Sequence, residues 1–128
     1  MAKTSPTQRT LKVLRGEGCV CGIVEKWNQF AMIRQDLFGF IDLVALRGNK
    51  IVGVQCCAGS GHADHRRKIL AEPRHRAWLA AGGEIELRSW RKIKVTRGGK
   101  AERWAERVEY IRQSVNKGRP PLQKFAGA

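Results

Sequence analysis

Long apolar runs are missing from this sequence. None approaches the roughly 18 residues that a membrane-crossing helix needs, and the opening MAKTSPTQRTLK lacks the apolar stretch of a secretory leader. A soluble chain working in the cytoplasm, with no membrane partner, is therefore expected. Acidic charge is scarce too: 11 Asp and Glu stand against 25 Lys and Arg, a net of +14 with histidine neutral. That imbalance points to a polyanionic partner, nucleic acid first among them, against the plainer alternative of a solubilising surface. It is also uneven, since residues 91–128 hold 11 Lys or Arg and three Glu, a net of +8. Zinc-knuckle spacing is absent as well: the four cysteines read C-x-C (Cys19, Cys21) and C-C (Cys56, Cys57), not C-x2-C. They are expected to be reduced thiols buried as small hydrophobes. A zinc-stabilised basic adaptor, using these cysteines with one of His62, His65 or His75, is the alternative they leave open. No internal repeat is visible.

What is present reads as one domain over residues 1–115, followed by a basic, flexible tail at 116–128. SPTQRTLKVLRGEG marks a helix start: Ser5 is an N-cap, Pro6 suits the first helical position, and Gln8 completes an S-x-x-Q capping box. CVCGIVE is expected as a strand from Cys19 to Glu25, and WNQFAMIRQ as a loop with partial strand character. FGFIDLVAL and IVGVQCC read as strands joined by a compact RGNK turn, with a bulge at Gly39. AGSG is a flexible loop, and residues 62–83 are helical in pattern, split at Pro73. EIELRSW is a strand whose Ile85 and Leu87 alternate with Glu84, Glu86 and Arg88, and a β-hairpin turning at Gly98-Gly99 is expected beyond it. The order is helix, three strands, helix, strand, hairpin: an α/β architecture with helices on both sides of a mixed sheet. Trp27, Trp78, Trp90 and Trp104 are read as core or edge aromatics.

Two polar residues stand out in these apolar strands. A lone buried carboxylate costs several kcal/mol unless something compensates it, and Asp42 is flanked by Phe40, Ile41, Leu43 and Val44. Gln55 lies between Val54 and Cys56 in the partner strand. Counted outward from the turn, Asp42 precedes Gly48 by as many residues as Gln55 follows Asn49, so their side chains are expected to face each other across the ladder. Two oxygen donors at one spot suit a hard cation such as Mg2+ or Mn2+. Otherwise Asp42 caps a loop or pairs with an arginine.

FGFIDLVAL, KIVGVQCC, the Gly/Ser loop and the basic RRKI together resemble the restriction-endonuclease-like, or PD-(D/E)xK, nuclease superfamily, in particular its small Holliday-junction-resolvase-type and phage-borne members. The resemblance covers residues 5–92 and implies an αβββαβ core. It also implies a divalent-metal-dependent endonuclease cutting DNA, selective for branched substrates, working as a homodimer in a bacterial or phage-infected cell. Asp42 matches the family's strand aspartate. Gln55 falls where the acid of (D/E)xK stands, Cys57 where its lysine stands, and Gln8 where a helix glutamate often stands. Metal ligands implied in this way are Asp42, Gln55, the Cys56 carbonyl and Gln8, with Glu25 and Asp36 as the nearby acids able to restore charge. The missing lysine is replaced in some members by a basic residue of the next helix, here Arg66, Arg67 or Lys68, so the catalytic set is Asp42, Gln55, Arg66 and Lys68. Arg34, His62, Arg66, Arg67, Lys68, Arg91, Lys92, Lys94 and Arg97 are the expected DNA contacts, and His62 or His65 a general base or phosphate contact. The missing acid and lysine also allow a nuclease fold that binds DNA without cutting it.

Overall fold

The structure, a computed structural model, describes residues 4–112; the tail expected at 116–128 and the domain limit at 115 lie outside the described residues. Helix α1 (Pro6–Gly16) begins as its sequence dictates, with Ser5 Oγ accepting the Gln8 N–H at 3.1 Å and Pro6 in the first turn. Strands β1 (Val20–Ile23), β2 (Lys26–Asn28) and β3 (Ile33–Gln35) follow, then β4 (Leu43–Arg47) and β5 (Lys50–Ala58). The helical stretch is divided at Pro73 into α2 (His62–Ala71) and α3 (Arg74–Ala80), and β6 (Glu84–Lys94) and β7 (Glu102–Ile111) complete the described chain. A mixed sheet of five strands has the order β1-β4-β5-β6-β7, antiparallel except for β5 beside β6, while β2 and β3 form a separate two-stranded ribbon. No helix among the described residues is long and apolar enough to cross a membrane.

The sheet is covered on both faces, which is why β5 is apolar apart from Lys50 at its start and Gln55. Val52, Val54 and Cys56 point to the α1 side and pack with Leu11, Leu14, Leu43 and Ala45. Cys57 turns to the other side, where Ile69 of α2 and Trp78 and Leu79 of α3 pack with Phe40, Ile41, Ile85 and Leu87. Gly53 is required there: a Cβ would stand 2.9 Å from Ile41 Cδ1 and 3.2 Å from the Trp78 ring. Each fully buried leucine or isoleucine in these layers contributes about 1.5–3 kcal/mol of transfer free energy.

Three expectations are revised. Residues 38–41 are not strand but a tight turn into β4, because Phe38 (φ +55°) and Gly39 (φ +80°) are both left-handed and interrupt the pleat. Residues 27–35, expected as a loop with partial strand character, form the β2–β3 hairpin. β6 does not stop at Trp90: it runs on as one arm of the terminal hairpin, paired with β7 from Ile85↔Ile111 to Lys94↔Glu102. Glu86 and Arg88 do not face solvent. Both are buried on the α1 side, where Arg47 Nη1 donates to Glu86 Oε2 (2.7 Å) and Arg88 donates to Glu86 Oε1 (3.0 Å) and Glu106 Oε2 (3.0 Å). A charged residue with a complete set of partners can be buried where a lone one cannot.

Candidate metal centre

Two hairpin registers assemble the site. β4 and β5 pair as Leu43↔Val54, so the next position along the ladder brings Asp42 opposite Gln55. Their side chains meet as the turn geometry led us to expect: Gln55 Nε2 donates to Asp42 Oδ2 at 2.7 Å. The Cys56 N–H donates to the same oxygen at 2.8 Å, so a carboxylate occupies a slot where a strand carbonyl would stand. β2 and β3 pair as Lys26↔Gln35, and continuing that register by one residue puts Glu25 beside Asp36. The ribbon is anchored where Val24 N–H donates to Asp42 O (2.9 Å), which brings its two acids to the head of β4. Ligand oxygens of Glu25, Asp36 and Asp42 lie within 4.8 Å of one another.

These groups line a cleft of about 580 Å³ with Ser5, Thr7 and Gln8 of the α1 start, Arg34 of β3, and His65 and Lys68 of α2. Arg34 Nη1 donates to Glu25 Oε1 (3.0 Å) and Lys68 Nζ to Asp36 Oδ2 (2.9 Å), so the acids share the cleft with two cations. Gln55 is 2% exposed, yet its Oε1 has no hydrogen-bond partner among the described residues. An unpaired buried acceptor costs about 1–3 kcal/mol. Three carboxylates and an orphaned amide oxygen in one cleft are the hard donor set that magnesium or manganese takes.

Burial raises the Asp42 pKa, and hydrogen bonding to Asp36 together with the charges of Asp36 and Glu25 adds to it, so that it is pushed up to about 8. Burial acts the same way on Asp36, but its hydrogen bonds to Asp42 and Lys68 outweigh it and hold Asp36 below its ordinary value. The pair thus carries one proton at neutral pH, held on Asp42. The folded protein keeps that proton while the unfolded chain releases it near 3.8, so its stabilising effect is complete below 3.8 and is lost as pH rises through about 8. Metal-free protein is accordingly expected to lose roughly 1 kcal/mol of stability per pH unit between pH 5 and 8. Urea unfolding in a chelator across that range measures it. A flat profile would rule out the shared proton.

Other sequence-derived candidates are dispersed. Of the three basic residues on α2, Lys68 alone lines the cleft; Arg66 Nε donates to Glu109 Oε2 (2.7 Å) and Arg67 pairs with Asp64. Arg66, expected as a catalytic residue, thus lies outside the cleft, because helical periodicity turns consecutive side chains about 100° apart. His62 is not a surface histidine: it is buried, with Nδ1 2.7 Å from Ser89 Oγ and Nε2 2.8 Å from Glu109 Oε1, and it does not line the cleft. His65 does line it, with Nδ1 2.8 Å from the Gly61 carbonyl. Gln8 and Cys56 also border the cleft, and the Cys56 backbone group shown bonding there is its N–H, to Asp42 Oδ2. Arg91, Lys92 and Lys94 are exposed on the far half of β6 and Arg97 in the turn beyond it, all outside the cleft.

Cys57, in the lysine position of the motif, is a buried thiol whose pKa burial pushes up to about 11, with the nearby Asp42 charge adding to it. The four sulfurs do not gather. Cys19, Cys21 and Cys56 belong to the packing on the α1 side and Cys57 to the opposite side, and the three-residue ligand cluster among the described residues contains none of them.

No family model, curated protein or solved structure matches the chain. The site's geometry therefore rests on its own residues. Glu25 and Asp36 are expected from the sequence as nearby acids able to restore the site's charge, with nothing in either strand alone to place them there. The signal that places them is the KWN…IRQ hairpin, whose closure forces its two flanking acids together.

Proposed function

We propose that this protein is a divalent-metal-dependent nuclease of the PD-(D/E)xK type that hydrolyses phosphodiester bonds in DNA. The observation that carries the reading is the Glu25–Asp36–Asp42 cluster, with the unpartnered Gln55 Oε1 beside it, in the cleft of a chain of net charge +14. With the β2–β3 ribbon set aside, the element order through β6 is αβββ, two short helices, β, in keeping with the core that the resemblance implies. On this reading Asp42 and Gln55 correspond to the family's aspartate and second acid, and Glu25 and Asp36 would supply the charge that Gln55 lacks.

Asp42, Asp36, Glu25 and Gln55 Oε1 would hold the ion, which when bound supplies Lewis-acid polarisation of the phosphate and a more acidic water. The side chains around it set the electrostatics. Asp42 must give up its proton for the ion to bind, and Cys56 N–H and Gln55 Nε2 hold the resulting carboxylate in place. Lys68 and Arg34, paired with Asp36 and Glu25 in the metal-free protein, become available to phosphate once those acids are engaged elsewhere. Lys68 thereby does from α2 what the buried Cys57 thiol cannot. The exposed cations at Arg91, Lys92, Lys94 and Arg97 add sequence-independent affinity for the backbone. Cys57 also favours a second reading, a member of the fold that binds DNA without cutting.

Incubation of purified protein with branched, nicked and linear DNA, with magnesium or manganese, separates the two. Cutting that needs the ion and Asp42 supports the nuclease; tight binding with no cutting of any substrate supports the other. Gln55→Glu is expected to tighten magnesium binding by about tenfold, because a fourth carboxylate adds ligand charge. The same change lowers metal-free stability through like-charge repulsion. Calorimetric titration with magnesium, alongside unfolding in a chelator, reads both effects. Equal magnesium affinity in the two proteins would remove Gln55 from the site.

A further inference from the structure

The β2–β3 ribbon ends in side chains that the fold has no use for. Phe30 is 94% exposed, Met32 68% and Trp27 57%; on the main sheet Trp90 is buried, and the most open aromatic there, Tyr110, reaches 55%, well short of Phe30. Nor is the tip slack: Asn28 Oδ1 accepts both the Phe30 and the Ala31 N–H at 3.0 Å, and Asn28 Nδ2 donates to Gln35 Oε1 at 3.4 Å. A large apolar side chain held out in water on a braced turn signals a partner. The exposed Lys26 on one arm and the net charge of +14 over the whole chain favour an anionic partner. The ribbon's base carries Glu25 and Asp36, so its tip and the metal centre belong to one element.

We propose that this ribbon is a base-stacking element, with Phe30 taking the face of an unpaired or unstacked DNA base while the cleft at its base holds the backbone of the same strand. The inference rests on the nuclease reading only for the identity of the polyanion as DNA. An aromatic tip binds bases of any identity, because every base has a π-face, and it discriminates against intact duplex, whose bases are already stacked. Substrate choice then follows from geometry: Glu25 and Phe30 are five residues apart, and at ~3.3 Å per strand residue Phe30 stands at most about 16 Å from the acids at the ribbon's base. At ~3.4 Å per nucleotide of one strand, cleavage on the nuclease reading falls within about five nucleotides of the unpaired base.

The test uses the full chain in a chelator, where no cutting occurs, and compares binding to a duplex with a short unpaired segment and to a continuous duplex of equal length. Wild-type protein is expected to prefer the interrupted duplex by about tenfold, the worth of one base–aromatic stack. Phe30→Ala is expected to lose that preference while keeping continuous-duplex affinity and its salt dependence, since no charge changes; Phe30→Trp is expected to retain it. A preference that survives Phe30→Ala overturns the inference, as does an equal loss on both substrates. A concentration-dependent dimer in sedimentation that dissociates in Phe30→Ala also overturns it, because a second copy is then the occupant of the tip. Binding preference needs no catalysis, so a protein that prefers interrupted duplex and never cuts it retains the inference and loses the nuclease reading.

Discussion

Asp42→Asn is expected to reduce magnesium-dependent DNA cleavage by roughly 10³-fold, the several kcal/mol of transition-state stabilisation that a correctly held ion supplies. Asparagine keeps the shape of the side chain and an oxygen for the Gln55 and Cys56 donors, so the fold persists. It removes the charge on the side chain that links all four candidate ligands. Two further readouts belong to this substitution. DNA affinity in a chelator is unchanged, because basic residues outside the cluster supply it. Metal-free stability stops falling between pH 5 and 8, because the group that titrates toward about 8 is gone. Cleavage at wild-type rate by Asp42→Asn would sink the metal assignment outright.

Lys68→Met is expected to lower kcat by about 10²-fold, the usual effect of removing one charged stabiliser from a phosphoryl-transfer site. Its effect on the ion runs opposite to that of Asp42→Asn. Lys68 Nζ competes with a cation for Asp36 Oδ2, at 2.9 Å in the metal-free protein. Without it, magnesium binds more tightly while turnover collapses. Lys68→Arg restores part of kcat by keeping the charge with a different reach. Single-turnover rates paired with magnesium titrations make the separation, and a variant that loses both together would mark Lys68 as a structural ion pair only. Arg66→Met serves as a comparison, since Arg66 is engaged by Glu109 outside the cleft and is expected to change kcat little.

Much of the frame is legible from the chain because its signals are local. The α1 start is written in Ser5, Pro6 and Gln8, the β4–β5 turn in Gly48 and Asn49, and the break between α2 and α3 in Pro73. The Asp42–Gln55 contact follows as well, since a two-residue turn fixes strand register and register fixes which side chains face each other. Other features elude the sequence because their causes lie far along the chain. The alternation of Glu86 and Arg88 with Ile85 and Leu87 does not say what covers the charged side, and nothing within that strand reveals that α1 packs there or that Arg47 and Glu106 arrive to pair the charges. Three consecutive basic residues on α2 look equivalent until the helix is docked and Lys68 alone enters the cleft.

The candidate metal centre divides along the same line. Sequence by itself determined that a buried aspartate and a glutamine would meet, since one turn between adjacent strands sets that contact. Only the tertiary structure decided that Glu25 and Asp36 join them, because this requires a second hairpin to close and to anchor against the first through Val24 and Asp42. A turn between neighbouring strands is encoded within a few residues; the docking of one hairpin on another is a balance of packing, charge and burial that no short segment contains.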